Sequence, residues 1–333
     1  MFLGKIDQSN NKRLLGILDS IKCGGIDGLV DNLFPVENGN HCLLRTKIDT
    51  SFMMLDIFFY RVCVTPQNIE SLSVCSKLQQ FVKSLQKSES SKFIIDSCKY
   101  QYGRLSQCAL QLLPPLTTIS KSNNIQKLYH RHLRDGIMTD AVSGWLLYAS
   151  FHYVTGQYNI TLKLTEYVLS RCKHDMMNLG IDIYSEEQMN SYRQSVHSKL
   201  AFDERIKLAT VDSVKYMRRS SLIPEEMQLD VEDDEIKIPP VVLSYCLRFL
   251  CHHYLGDICN RQQALDNLLL AVQDDYFVTK HDLSVSKTLL GVCYEISEDI
   301  TNAYQCYDEA VEDDVYVCLS AKARKSKLLL DLR

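Results

Sequence analysis

Three groups of residues carry side chains able to do chemistry. Cys251, His252 and His253 are consecutive and offer thiol and imidazole metal donors. Lys121, Lys127, His130, Arg131, His132 and Arg134 crowd around Tyr129, a composition suited to phosphate or nucleic acid. Glu232, Asp233, Asp234 and Glu235 form an acidic run that could attract cations. Each group meets a physical objection. Neighbouring residues on a helix point about 100° apart, so the Cys-His-His triplet cannot close on one ion unaided. No second Cys/His cluster has zinc spacing. A Cys–His nucleophile also needs a third group to orient the base, and among 13 Cys and 9 His no pair stands out. The basic stretch reads first as a solvated helix face, leaving Lys127, His130, Arg131 and Arg134 as the patch to watch. The acidic run reads as a solvated loop. The sequence therefore leads to an expectation of no catalytic residue, no metal and no cofactor.

Composition narrows the frame that positions these residues. The chain has 333 residues, 46% hydrophobic and 23% charged, the balance of an ordinary globular protein. Formal net charge is −4, which argues against a broad nucleic-acid footprint. With only 13 Gly and 7 Pro, the chain lacks the frequent turns of a β-sandwich or barrel. The odd number of cysteines, without any Cys-x-x-Cys pair, reads as reduced core thiols. Met1 to Lys5 begin no secretory apolar region, and the most apolar stretch, Phe52 to Tyr60, is broken by Asp56. The expectation is a cytoplasmic protein with no membrane partner.

Helical periodicity recurs along the chain. Helices are expected at about 11–21, 26–33, 50–64, 67–86, 90–113 and 123–135, with Pro114-Pro115 as a break. A helix pair follows, 141–155 and 158–172, turning at Gly156. Residues 185–219 look helical but mixed, and 220–240 reads as a long exposed acidic connection. Pairs resume at 241–255 with 262–273 and at 283–297 with 300–311, before a last helix at 318–331.

The last two pairs align on each other. Leu250-Cys251-x-x-Tyr254 matches Leu290-Gly291-x-x-Tyr294, and Ala264, Leu268 and Ala271 match Ala303, Tyr307 and Ala310, at offsets of 39 or 40 residues. Small residues let antiparallel helices approach, so Gly291 and Cys251 are expected to face the paired helix, with Tyr294 and Tyr254 filling the wider gap. This pattern resembles the tetratricopeptide repeat family. The pair at 141–172 is a looser match through Trp145, Ala149, Gly156 and Tyr158. The resemblance implies stacked helix pairs whose first helices line a concave, partner-binding face. Tyr245, Arg248, His252, Thr288, Val292 and Glu295 would then line the groove.

A second resemblance begins at Met1-Phe2-Leu3-Gly4-Lys5-Ile6, Lys12-Arg13-Leu14-Leu15 and Gly25-Ile26-Asp27-Gly28-Leu29. These residues are similar to the end of the helical lobe in Mab-twenty-one-like, or cyclic GMP–AMP synthase-like, nucleotidyltransferases. Asp140 to Tyr148 and Ser221 to Glu226 resemble the helical extensions of invertebrate members. The Gly-Ser turn and paired carboxylates that such enzymes need for Mg²⁺ are missing. The resemblance implies a non-enzymatic piece whose catalytic lobe would lie upstream.

The reading is therefore an all-α protein: an α-solenoid of tetratricopeptide-like helix pairs with an N-terminal helical segment. Residues 1–35 would be the tail of a helical lobe, 36–135 a helical bundle, and 136–333 the repeats. The expected partner is a protein or peptide. A nucleic-acid- or nucleotide-sensing module is the alternative.

Overall fold

The computed structural model describes residues 23–30, 55–56, 58–60, 63, 69, 71–114, 123–179, 184–192, 200–231, 235–274, 276–312 and 319–331. The chain is mostly helical. Residues 23–30 form a helical stretch. After it come α1 (Leu72–Ser88), α2 (Lys92–Gln111), α3 (Asn123–Gly136), α4 (Ser143–Val154) and α5 (Tyr158–Arg171). Then come α6 (Glu186–Tyr192), α7 (Phe202–Leu208), α8 (Pro240–Tyr254), α9 (Ile258–Val272), α10 (Leu283–Ile296), α11 (Ile300–Val311) and α12 (Leu319–Asp331). The expected helix at 11–21 lies outside the described residues, as do residues 50–54 of the helix expected at 50–64.

Local chemistry sets these boundaries. Ser71 accepts from Val74 N–H and Ser91 from Ile94 N–H, satisfying first-turn donors of α1 and α2. The Asp27 carboxylate adds bonds from Lys92 N–H and Phe93 N–H, tying residues 23–30 to the start of α2. Pro240 opens α8, where its missing N–H costs nothing. Asp257 accepts from Asn260 N–H, which starts α9 at Ile258, four residues before the expected 262.

Three helical hairpins, α4–α5, α8–α9 and α10–α11, share one turn geometry. Gly156 (φ 74°), Gly256 (φ 70°) and Glu298 (φ 63°) all sit in the left-handed region. The next residue donates its N–H back into the first helix each time: Gln157 to His152 O, Asp257 to His252 O, Asp299 to Tyr294 O. The last two turns correspond at Asp257 and Asp299, 42 residues apart. The expected offset of 39 or 40 is thus corrected. For the second helices the slip is three residues, which turns a helix by about 300° and keeps nearly the same face buried; for the first helices it is two, about 200°, so the small-residue pattern alone could not fix the register. Gly291 does face the paired helix, but it meets the Tyr307 ring rather than Ala303. Tyr254 is 52% exposed, and its ring stacks on Tyr158 of the first hairpin, centroids 5.4 Å apart.

Glutamate at a left-handed turn costs about 1–2 kcal/mol relative to the right-handed conformations. Glu298→Gly is therefore expected to stabilise the chain by about 1 kcal/mol, partly offset by backbone entropy. Thermal melting checks this; a lower midpoint would mean that the Glu298 side chain contributes more than the turn costs.

The first helices of the hairpins, α4, α8 and α10, lie side by side, and α5 packs closely on α8. A non-helical segment covers part of this row. It contains β3 (Val214–Tyr216), a 3₁₀ turn (Glu225–Val231) and β4 (Ile236–Ile238), with β3 and β4 antiparallel and Tyr216 opposite Ile236. β3 packs on α4, β4 on α10, and the 3₁₀ turn on α10 and α12. A second pair, β1 (Met177–Asn178) and β2 (Thr210–Val211), is parallel. The described residues of 220–240 are therefore not an exposed connection, and 185–219 is not continuously helical. Leu222, Ile223, Met227, Val231, Ile236 and Ile238 belong to the main core, and their burial outweighs the acidic composition around them. Glu232, Asp233 and Asp234 lie outside the described residues. One continuous core runs from Leu110 to Ala321.

Candidate functional site

The six residues expected to line a concave groove are not an open surface. Thr288 and Val292 are buried; Thr288 donates its hydroxyl to Ser284 O, and Val292 packs with Ala303, Tyr307 and Leu328. His252 is buried beside Asp257, Nδ1 to Oδ2 3.5 Å, with burial holding the imidazole below its usual range. Arg248 reaches Leu162 O of α5 at 3.3 Å, joining the first two hairpins. Glu295 accepts from Tyr307 OH at 2.7 Å, and Tyr245 is half-buried against the core. The groove assignment is corrected for a physical reason. The expected register left these positions off the packed stripe, whereas neighbouring hairpins and the 214–238 segment cover several sides of the first helices.

That segment is held by side chains as well as by packing. Tyr153 OH of α4 and Tyr254 OH of α8 both donate to Glu226 Oε1, at 2.8 and 2.6 Å. Arg324 of α12 donates to Glu226 O at 2.8 Å and to Asp230 Oδ2 at 3.2 Å. Ser320 adds a bond to Asp230. The Cys246 thiol lies 4.0 Å from Met227 Sδ and 3.8 Å from Cys293 Sγ, a sulfur contact inside the core. Nothing in the sequence spacing singled out Glu226 or Asp230, because their partners come from three distant helices.

The Cys-His-His triplet diverges as helical geometry requires. Cys251 is buried near Thr161, and burial pushes its thiol up to about 12. His253 Nδ1 lies 3.3 Å from an Arg261 nitrogen. Among the described residues no group of three or more His, Cys, Asp or Glu could hold a metal ion.

The basic stretch forms α3. Lys127, His130, Arg131 and Arg134 are exposed, while His132 is buried. Asp135 approaches both arginines, 3.9 Å from Arg131 and 3.7 Å from Arg134. Arg131 also lies 3.4 Å from Tyr102 OH, and His130 packs edge-on to Phe151 at 5.6 Å. Lys121 lies outside the described residues.

An open feature lies elsewhere. The second and third hairpins do not close fully on each other, leaving a groove of about 530 Å³ among α9, α10 and α11. Leu269, Val272, Leu290, Tyr294 and Cys306 give it an apolar floor, and Gln273, Asn302 and Gln305 stand on its rim. Lys287 and Glu309 pair at 2.9 Å along one wall. Their ion pair and a bond from Gln305 hold the Glu309 carboxyl below the usual range. Leu269 remains 37% exposed and the adjacent Leu270 65% exposed. The sequence reading missed this place because it belongs to two hairpins together. The one hint was the run Leu268-Leu269-Leu270, too apolar for a single buried stripe.

No helix among the described residues is long and apolar enough to cross a membrane. Comparison with protein-family models, curated proteins and solved structures returned no match for this chain.

Proposed function

We propose that the chain is a non-enzymatic protein-interaction module built as a tetratricopeptide-like solenoid, of the kind that extends Mab-twenty-one-like nucleotidyltransferases. The observation that carries this reading is the open groove, part apolar and part polar, between the second and third hairpins. The inner row of helices is occupied by residues 214–238, so a partner docks outside it, between α9 and α11. A partner helix laid there buries leucine-type anchors on Leu269, Val272 and Leu290. The expected compartment is the cytoplasm, with no cofactor.

Nucleic-acid sensing through α3 is the alternative reading. Its support is the exposure of Lys127, His130, Arg131 and Arg134. The nearby Asp135 carboxylate weakens it by offsetting charge where Arg131 and Arg134 would meet phosphate.

A library of displayed three-turn helical peptides, panned on the intact chain, tests the main reading. Enriched binders are expected to carry apolar anchors and to lose at least tenfold in affinity on Leu269→Asp. Binders indifferent to Leu269→Asp, or lost only on Arg131→Glu, would place the working surface elsewhere.

A further inference from the structure

Three sulfur atoms meet in the main core. Cys246 Sγ of α8 lies 3.8 Å from Cys293 Sγ of α10 and 4.0 Å from Met227 Sδ on the 3₁₀ turn. All three side chains are fully buried, at 0% exposure. They come from three elements, and Cys246 stands 19 residues from one partner and 47 from the other, so the fold gathers them. Around a three-coordinate ion with sulfur bonds of about 2.3 Å, donors stand about 4.0 Å apart, and around a tetrahedral one about 3.8 Å. The two measured spacings therefore suit one ion with no helix moved. A disulfide would instead need the thiol sulfurs to close to about 2.05 Å. The donor types choose the ion. Zinc draws on cysteine, histidine and carboxylates, and no group of three such residues is placed for a metal among the described residues. Thiolates joined by a thioether select Cu(I).

We propose that Met227, Cys246 and Cys293 form a buried soft-metal site for one Cu(I) ion. The interaction reading above calls for no cofactor; this inference goes beyond it and stands independently of it. Each thiol that binds releases its proton to solvent, and the ion remains Cu(I). In the ion-free chain burial pushes the Cys293 thiol well up, and Cys246 and the Glu226 carboxylate add to the shift. A coordinated cation reverses that balance, because a metal deprotonates the thiol it binds. Met227 supplies the way in. It sits on a seven-residue 3₁₀ turn packed on α10 and α12, and entry requires that turn to lift while the helices stay formed. Once bound, the ion ties the turn to α8 and α10 and fixes residues 214–238 in the inner row.

Anaerobic titration of the full, reduced chain with Cu(I), competed by a chromogenic Cu(I) chelator, tests the site. One equivalent is expected to bind at least tenfold more tightly than the background from the other cysteines. Cys246→Ala/Cys293→Ala should abolish that equivalent. Met227→Leu, which keeps the core apolar and similar in volume, should weaken it at least tenfold. Cys23→Ser/Cys259→Ser, which removes two exposed thiols, should leave it unchanged. An equal concentration of Zn(II) should not displace it. Cu(I) should also raise the thermal midpoint of the parent, as a ligand of the folded state does, and leave that of the double-alanine variant where it is. If no equivalent stands above the background, or the tight one survives in the double-alanine variant or is lost with Cys23 and Cys259, the sulfurs are core packing and the proposal is overturned. Displacement by Zn(II) overturns it as well. Should the double-alanine variant fail to fold, Met227→Leu decides: binding as tight as the parent's removes the third donor and with it the site.

Discussion

Gly144→Ala is expected to cost the chain more than about 3 kcal/mol, beyond the usual 1–3 kcal/mol of overpacking. A methyl at Gly144 would lie 2.4 Å from Gly136 O and 2.6 Å from Ile137 Cα. These are backbone atoms and cannot rotate away as a side chain would. They are also tied in place: Gly136 O accepts from Gln107 Nε2 at 2.8 Å and from Thr139 OH at 3.2 Å. Gln107 in turn bonds Thr139 at 2.8 Å. Gly136 and Gly103 repeat the pattern, facing Gln107 and Thr139 closely. The crossing of α2, α3 and the start of α4 is thus built on three glycines, and one methyl forces the helices apart. Urea unfolding followed by circular dichroism reads the effect. Gly24→Ala is the control, since nothing lies within 4 Å of that position, and it should be neutral or stabilising by up to about 1 kcal/mol. Equal midpoints for Gly144→Ala and the parent would mean that the close approach of α4 to α3 is misplaced.

Arg205→Leu is expected to cost about 3–5 kcal/mol, the loss typical of breaking a buried pair on one side. Arg205 is 3% exposed and Asp56 0%. The guanidinium grips the carboxylate at both oxygens, Nε to Oδ2 2.9 Å and a terminal nitrogen to Oδ1 2.8 Å. Tyr192 OH adds a third bond at 2.9 Å, so three separate stretches of chain meet at Asp56. Without Arg205 the carboxylate stays buried and keeps, among the described residues, the Tyr192 bond, and burial then favours its protonated form. The sign follows by linkage. The folded variant holds a proton over a pH range where the unfolded chain, with ordinary aspartate affinity near 3.8, has released it. Stability of the variant should therefore decline as pH rises through the raised value and be recovered as pH falls from there toward the ordinary aspartate value of 3.8. Asp56→Leu/Arg205→Leu should recover much of the loss, because no charge is then stranded. A single variant costing under about 1 kcal/mol at pH 7, with no slope toward acid, would remove the pair from the determinants of this fold.

Both positions show what was visible in advance. Asp56 appeared in the sequence only as the residue that interrupts the apolar stretch Phe52 to Tyr60; its partner lies 149 residues away. Gly144 was visible as a small residue between Ser143 and Trp145, but not as the point where two backbones touch. The helices themselves were legible. α3, α4, α5, α8, α10 and α11 begin and end within about two residues of the expected bounds, because periodic apolar residues and local breakers such as Pro239, Gly156 and Gly256 act over short distances.

The sequence by itself determined that the chain is mostly helical and where hairpins turn, since caps and left-handed turns are decided by neighbours within a few residues. Tertiary structure alone decided how the last two hairpins correspond, because a three-residue slip in their second helices leaves nearly the same face buried. It also decided the fate of residues 214–238. Their apolar side chains, Tyr216, Leu222, Met227 and Ile238 among them, follow neither a helical nor a strand period over any length, and gain their burial only from a row of helices assembled from both sides of them in the chain. The outer groove belongs to the same level. Leu269 and Cys306 are 37 residues apart, and no local rule in either helix says how far the two hairpins stand from each other.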